Sequence, residues 1–376
     1  MLPPSRPLPA NGSGVLLNQA SRLISGTDAV GVRVLLVGTG AYPIPPPGYG
    51  AVERILSEYA DALRRAGHSV QIVNEVHGSS SFGEYRFALH LPAILRRQDY
   101  DVVHASTPVV ANRLAASGLP FIYTSHSRHW FWRASWRHRW GFWLERRAVR
   151  RATATVALTS TVEAAMRLAV PPGWVRPLRV IPYGVSPDDF APDWGRRTGR
   201  NALGVGIIAP LKRWEVAAAA LKGTGMTLRI AGPISDAPYA RRIQSAGESV
   251  ELLGEVDDTR LRRLYAEADL LVHPSLVEVL PRAVLEGMAA GLPVIGSSVV
   301  GSLFHNRPAG FAAPAGATGE DLVRFVRDSA LQLAGDGNLR RRMGDAAGKL
   351  VRDEYSWDRV VSAHLELYRE SGVPVA

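Results

Sequence analysis

From residue 32 onward the chain alternates short aliphatic runs with longer stretches of helical period. Val32-Arg33-Val34-Leu35-Leu36-Val37 reads as a buried strand. Ala51 to Ala66 reads as a helix, because Val52, Ile55, Leu56, Tyr59 and Leu63 recur at three- and four-residue spacing. Gly67-His68 ends that helix, and Ser69 to Val73 is the next strand. Further strands are expected near Val102-Val103-His104, Phe121-Ile122-Tyr123, Ala154 to Leu158 and Arg179-Val180-Ile181. Strands separated by helical stretches predict a doubly wound parallel sheet. A polar, Pro-containing span from Pro182 to Arg200 breaks the rhythm. A second alternating set follows, with strands at Gly204 to Ile208, Thr227 to Ala231, Val250 to Leu253, Leu270 to Val272 and Pro293 to Ile295. The pattern divides the chain into a Pro-, Gly- and Ser-rich mobile leader (1–30), an N-terminal Rossmann-like domain (31–186), a linker (187–200), a C-terminal Rossmann-like domain (201–354) and a last helix (355–376).

Composition adds bounds. A chain of 376 residues with 46% hydrophobic content has material for two α/β cores. No run is long enough to span a membrane, and no N-terminal segment has the apolar centre of a signal peptide. A cytoplasmic location is the default. Zero Cys excludes disulfides and thiolate metal sites. Lys plus Arg number 44 against 34 acidic residues, a net charge of +10, and Lys occurs only at 212, 222 and 349. Such an excess suits phosphorylated ligands, an anionic membrane face or nucleic acid, without choosing among them.

The densest candidate chemistry lies between His273 and Ile295. A strand ends at Val272, a polar turn follows, a helix opens near Pro281, and Gly291-Leu292-Pro293 leads into the next strand. Glu278 precedes the helix and Glu286 lies inside it, so both can face one cavity at the carboxyl edge of a parallel sheet. N–H groups at the helix start suit an anion there, and Glu286 can accept hydrogen bonds from hydroxyls. A nucleotide sugar carries both features. The segment Glu-x-Leu-Pro-Arg-Ala-x-Leu-Glu-Gly-Met-Ala-Ala-Gly-Leu-Pro-Val, from Glu278 to Val294, resembles the family 4 retaining glycosyltransferases of the GT-B fold. That resemblance implies two Rossmann-like doubly wound parallel-sheet domains facing a central cleft. It places Glu278 and Leu280 by the donor and Glu286 on the nucleotide ribose. It implies no cofactor beyond a nucleoside diphosphate sugar as co-substrate.

Other residues follow the same resemblance. Gly48 and Gly50, in Pro45-Pro46-Pro47-Gly48-Tyr49-Gly50-Ala51, let backbone approach a ligand at a helix start. They match the family's loop opposite the donor phosphate, with Ala51 in place of a Gly. His126 follows a strand in Thr124-Ser125-His126-Ser127 and matches a His beside the donor sugar. Lys212 and Arg213 follow the first strand of the second half, where cations can neutralise a diphosphate leaving group. Lys212 aligns with the family's Lys, while Ile207 stands where the family has Arg, leaving Arg213 as its substitute. Gly232 ends a strand in Ala231-Gly232-Pro233. Tyr183, Val279, Ser302 and His305 also depart from the family's Asn, Gly, Gly and Glu. Asp99-Tyr100-Asp101 has the spacing of a metal-binding pair but sits at the amino end of a strand, away from the expected cleft. It reads as structural, and no metal is expected.

Residues 128–151 are the most individual stretch. Residues 126–151 hold five of the nine Trp (130, 132, 136, 140 and 143) among eight Arg. Trp132, Trp136, Trp140 and Trp143 would stack along one helix face. Three readings are open: an anionic membrane surface or lipid-linked acceptor, packing onto the sheet, and, least favoured, stacking on nucleic acid. The first places the protein at the inner face of the membrane. The function expected is transfer of a sugar to an acceptor hydroxyl, on a glycan or a lipid-linked acceptor. A GT-B nucleotide-sugar epimerase and a catalytically impaired binding or partner subunit are the rivals.

Overall fold

The computed structural model describes residues 31–48, 50–77, 81–131, 136–174 and 176–373. The expected leader, Tyr49 and Trp132 lie outside them. In the first half the strands are β1 (Arg33–Val37), β2 (Ser69–Val73), β3 (Val102–Ala105), β4 (Ile122–Ser125), β5 (Ala154–Ala157) and β6 (Leu178–Val180). Helices α1 (Ala51–Arg65), α2 (Ser81–Leu95), α3 (Pro108–Ala116), α4 (Trp136–Arg151) and α5 (Ser160–Ala169) connect them. The six strands form one parallel sheet in the order β2-β1-β3-β4-β5-β6. β3, β4 and β5 are buried at every position, as strands covered by helices on both faces must be.

The second half repeats the plan. Its strands are β7 (Asn201–Val205), β8 (Thr227–Ala231), β9 (Val250–Gly254), β10 (Leu270–His273), β11 (Val294–Gly296) and β12 (Gly310–Ala312). Its helices are α6 (Trp214–Leu221), α7 (Ala237–Ala246), α8 (Asp258–Glu267), α9 (Arg282–Ala289), α10 (Gly319–Gly335), α11 (Gly337–Glu354) and α12 (Trp357–Glu370). The parallel sheet runs β12-β11-β10-β7-β8-β9. Strand order therefore reverses between β7 and β10, and the segments leaving them diverge to opposite faces. Open α/β sheets bind ligands in that crevice, beyond the carboxyl ends of the strands. The first sheet has the corresponding point between β1 and β3.

Two expectations need correction. The strand expected at Gly204 to Ile208 is β7, three residues earlier. Gly206 turns to φ 146° and leaves the ladder, and Ile208 only bridges Ile234. β12 escapes a pattern search because Gly310–Ala312 is short and built largely of small residues.

α12 returns to the first sheet. Tyr368 on α12 bonds Tyr59 on α1 at 2.9 Å and His104 on β3 at 2.7 Å, all three buried. His104 Nε2 reaches Thr124 Oγ1 at 2.6 Å, so buried polar bonds tie α12, α1, β3 and β4 together. Asp99 and Asp101 both pair with Arg33 at the amino ends of the strands.

Candidate active site

The turn after β7 and the loop after β10 meet at the reversal point. Pro210–Lys212 forms a short 3-10 turn, and Arg213 adopts a left-handed conformation (φ 52°) that redirects the chain into α6. The turn holds Lys212 Nζ 2.5 Å from Glu278 Oε1, with both side chains 16% exposed. His273, ending β10 and buried, bonds the same carboxylate oxygen through Nε2 at 3.1 Å. Burial pushes the Glu278 carboxyl up, but the His273 hydrogen bond and the Lys212 charge outweigh it. They hold it well below the usual carboxylate range. Burial lowers His273 despite Glu278. The cluster is a shielded carboxylate with a cation and a neutral imidazole on it.

Arg213 does not join Lys212. Its guanidinium donates to the Pro274 and Ser275 carbonyls at 2.7 and 3.1 Å, fastening the loop that carries Glu278. The structure turns its guanidinium onto that loop, not beside Lys212, although Arg213 was expected to substitute for the family's Arg at Ile207. Ile207 offers its carbonyl to Trp214 Nε1 at 3.1 Å. Val279 is partly buried and packs against the cores of both halves.

Glu286 is buried on α9. Tyr265 donates to its Oε2 at 2.9 Å, and Arg282 to its Oε1 at 2.6 Å. Arg282 also crosses to Glu58 on α1, at 2.6 and 3.1 Å. Burial lowers the Arg282 value, but Glu286 and Glu58 raise it further, so it stays charged. A carboxylate has about four lone-pair sites, so two bonds leave Glu286 room for hydroxyl donors. α1, α6 and α9 carry no side-chain cap, nor do α10 and α12, whereas Thr107, Thr159, Asp236, Asp257 and Asp336 cap α3, α5, α7, α8 and α11. Helix starts without caps keep N–H groups for an anion.

The glycines lie where backbones approach. A Cβ on Gly232 (φ 154°) would stand 2.1 Å from the Gly206 carbonyl oxygen, so the turns after β7 and β8 touch only through glycine. A Cβ on Gly48 would stand 2.6 Å from Glu255 Oε1 in the other lobe, and one on Gly50 would stand 2.8 Å from Pro46.

His126 follows β4 and lines a cavity of about 30 Å³ with Tyr59, His104, Tyr183 and His364. Burial, then the His364 charge, pushes its imidazole down to about 4. Tyr183 donates its hydroxyl to the Leu280 carbonyl, so this cavity adjoins the loop between Glu278 and Glu286. Leu280 itself is buried. A cavity of about 460 Å³ lies between Thr159, Ser160 and Pro182 of one lobe and Ser302 and His305 of the other.

Three contributors carried no assignment from sequence: His273, Arg282 with Glu58, and Glu145. His273 had the signal that singled out His126, a His ending a strand at the carboxyl edge. Glu58 had none, because its partner is 224 residues away. Glu145, fully buried on α4, accepts from Tyr123 at 2.8 Å and Ser125 at 3.0 Å, and Ser125 accepts from Trp130 Nε1 at 2.9 Å. That network fixes the turn carrying His126.

The Trp segment divides. Trp130 is core, while Trp140 and Trp143 stack at 4.9 Å and are 50% and 45% exposed. α4 packs through Leu144, Glu145, Ala148 and Val149, so sheet packing does not account for that indole pair.

Two six-stranded parallel sheets, with a cation–carboxylate cluster at the carboxyl edge of the second, have the arrangement of the GT-B glycosyltransferases. Residues 50–189 match the model described as Glycosyltransferase Family 4, and residues 210–342 match the model described as Glycosyl transferases group 1. The two matches fall one on each half of the chain, which is a glycosyltransferase of the GT-B fold. It is 25% identical over 328 residues to an MMP α-(1→4)-mannosyltransferase of Mycolicibacterium hassiacum, covering 77% of this chain and 76% of that one. An uncharacterised glycosyltransferase of Methanocaldococcus jannaschii is 32% identical over 123 residues, 32% of this chain and 30% of its own length. The crystal structure of Anabaena HepE with UDP-glucose superposes with a TM-score of 0.71 at 16% identity, over 90% of this chain and 100% of that one.

Proposed function

We propose that this glycosyltransferase moves a sugar, with retention and without a metal, from a nucleoside diphosphate sugar to an acceptor hydroxyl. The observation that carries this is the Lys212–Glu278–His273 cluster beside Glu286 at the strand-order reversal. A solved GT-B neighbour holding UDP-glucose supports the donor class. Glu286 takes the ribose hydroxyls, and the uncapped start of α9 faces the diphosphate. Lys212 exchanges part of its contact with Glu278 for the leaving phosphate, and Glu278 then accepts from sugar hydroxyls. The anomeric carbon–oxygen bond breaks with its electron pair on the diphosphate. The acceptor oxygen bonds the same face, and its proton passes to the departing phosphate oxygen. His126, neutral above about 4, holds the sugar and does not serve as a base.

Exposed Trp140, Trp143, Arg139 and Arg147 on α4 support a lipid-linked acceptor or an anionic membrane face. Among the described residues no helix is long and apolar enough to cross a membrane. A second reading, a nucleotide-sugar-binding subunit without turnover, is favoured by the commitment of Arg213 to carbonyls. Turnover of a nucleotide-sugar panel, with NMR assignment of the product's anomeric configuration, decides. Transfer with retention is expected. An inverted product would overturn the stereochemical reading, and tight nucleotide binding without transfer would favour the second.

A further inference from the structure

At the edge of the first sheet, away from the Glu278 cluster, three metal-type ligands converge. Glu75 and His77 follow β2, and His90 lies on α2. One ligating atom from each lies within 4.8 Å of the other two. Glu75 Oε2 is 3.4 Å from His77 Nε2 and 4.0 Å from His90 Nδ1, and the two imidazole rings stand edge to face at 5.4 Å. Tetrahedral ligands at about 2.0–2.1 Å from a zinc ion lie roughly 3.4 Å apart. The Glu75–His77 separation already has that value. The His90 separations close by small rotations of a side chain that is 58% exposed.

The frame under the site is held. Asn74 accepts from Gly40 N and donates to the Tyr42 carbonyl, both at 2.9 Å. His77 Nε2, shielded from solvent, makes no hydrogen bond among the described residues. A shielded ring nitrogen that faces a carboxylate oxygen at 3.4 Å without hydrogen-bonding it suits a cation held between the two. Two imidazoles and one carboxylate suit zinc and its late first-row neighbours. Calcium and magnesium take oxygen ligands. The spacing, Glu-x-His with a second His thirteen residues after the first, falls outside the short His-x3–5-His spacing of zinc fingers.

We propose that Glu75, His77 and His90 bind one late divalent cation, Zn²⁺ in the first instance, with a fourth position for water or an anionic oxygen. The sugar-transfer chemistry is not routed through it. The test is calorimetric titration of Zn²⁺ into tag-free, chelator-stripped full-length protein. One Zn²⁺ per chain is expected. Outer-shell changes at established sites cost ~10–100-fold in affinity, so His77→Ala and His90→Ala, which remove ligands, are expected to lose at least that. A His129→Ala/His138→Ala variant, removing another close imidazole pair (5.7 Å), keeps full uptake. Co²⁺ in the wild type shows strong visible bands of a four-coordinate ion, and His90→Ala abolishes them. Melting in chelator confirms that the exposed His90 substitution leaves the fold intact. Failure of the wild type to take up one equivalent would overturn the proposal. So would unchanged uptake by the His77→Ala/His90→Ala double variant.

Discussion

Glu278 and Glu286 share one loop-and-helix segment yet face different partners, and their substitutions should separate accordingly. Glu286→Ala removes charge-assisted hydrogen bonds to ribose and is expected to weaken nucleotide and nucleotide sugar alike by ~1.5–3 kcal/mol. Glu278→Ala is expected to spare the bare nucleotide and lower transfer. Equal losses of nucleotide affinity in calorimetry would refute this division. Lys212→Ala removes the cation aimed at the leaving group, and a drop in kcat of ~10²–10³-fold is expected, the size seen for loss of one transition-state donor. Glu278 also has a pH consequence. Its folded value lies below its unfolded one, so its contribution to stability is complete above the ordinary carboxylate range. That contribution fades as pH falls from the ordinary carboxylate value of 4.5 down through the lowered folded one. Glu278 therefore stays anionic throughout the pH range in which turnover is measured.

At the scale of elements, the β4–α4 pair has the opposite pH behaviour. Burial pushes Glu145 from 4.5 to about 7, against hydrogen bonds from Tyr123 and Ser125 that pull it down. A carboxyl raised in the folded state favours folding while protonated. Its contribution is full below its ordinary 4.5 and is lost as pH rises to about 7, a difference of about 3 kcal/mol. Glu84 on α2, pushed up to about 6 chiefly by burial, slopes the same way. Buried His126 and His364, lowered to about 4, slope the other way up to the ordinary imidazole value, so the Glu145 share is read as a difference between proteins. Glu145→Gln, which keeps an acceptor for Tyr123 and Ser125, is expected to gain melting temperature relative to the wild type as pH rises from 5 to 8. A slope unchanged in the variant would remove Glu145 as a source. This network was illegible in the sequence. Glu145 lies among basic residues on a strongly charged helix, where its period suggests a solvated face, and only packing against β4 buries it.

Across the whole molecule, the two lobes are joined by Arg282 to Glu58 and by Arg54 to Asp258 (2.5 Å). The Glu58→Gln/Asp258→Asn variant is expected to enlarge the radius of gyration in X-ray scattering without nucleotide. An unchanged radius would show that other contacts hold the cleft. The lobes also differ in surface. On the membrane reading, Trp140→Ala/Trp143→Ala should cut sedimentation with anionic vesicles at low salt, since each nearby Arg adds ~1 kcal/mol at such a surface. The melting point should hold, because both rings are about half exposed. A lowered melting point with unchanged sedimentation would return these residues to a packing role. The sequence by itself determined the two alternating halves, every strand except β12 (with β7 placed three residues late), and the carboxyl-edge placement of His126, Lys212 and Glu278. Hydrophobic period and turn chemistry are local, so they can be read along the chain. Which charges meet was decided only by tertiary structure. Strand order sets β7 beside β10 and so joins Lys212 to Glu278, the left-handed turn at Arg213 carries its guanidinium to the Pro274 and Ser275 carbonyls, and closure of the lobes brings Glu58 to Arg282. Those pairings depend on the order of strands and the approach of distant backbones, which no local pattern encodes.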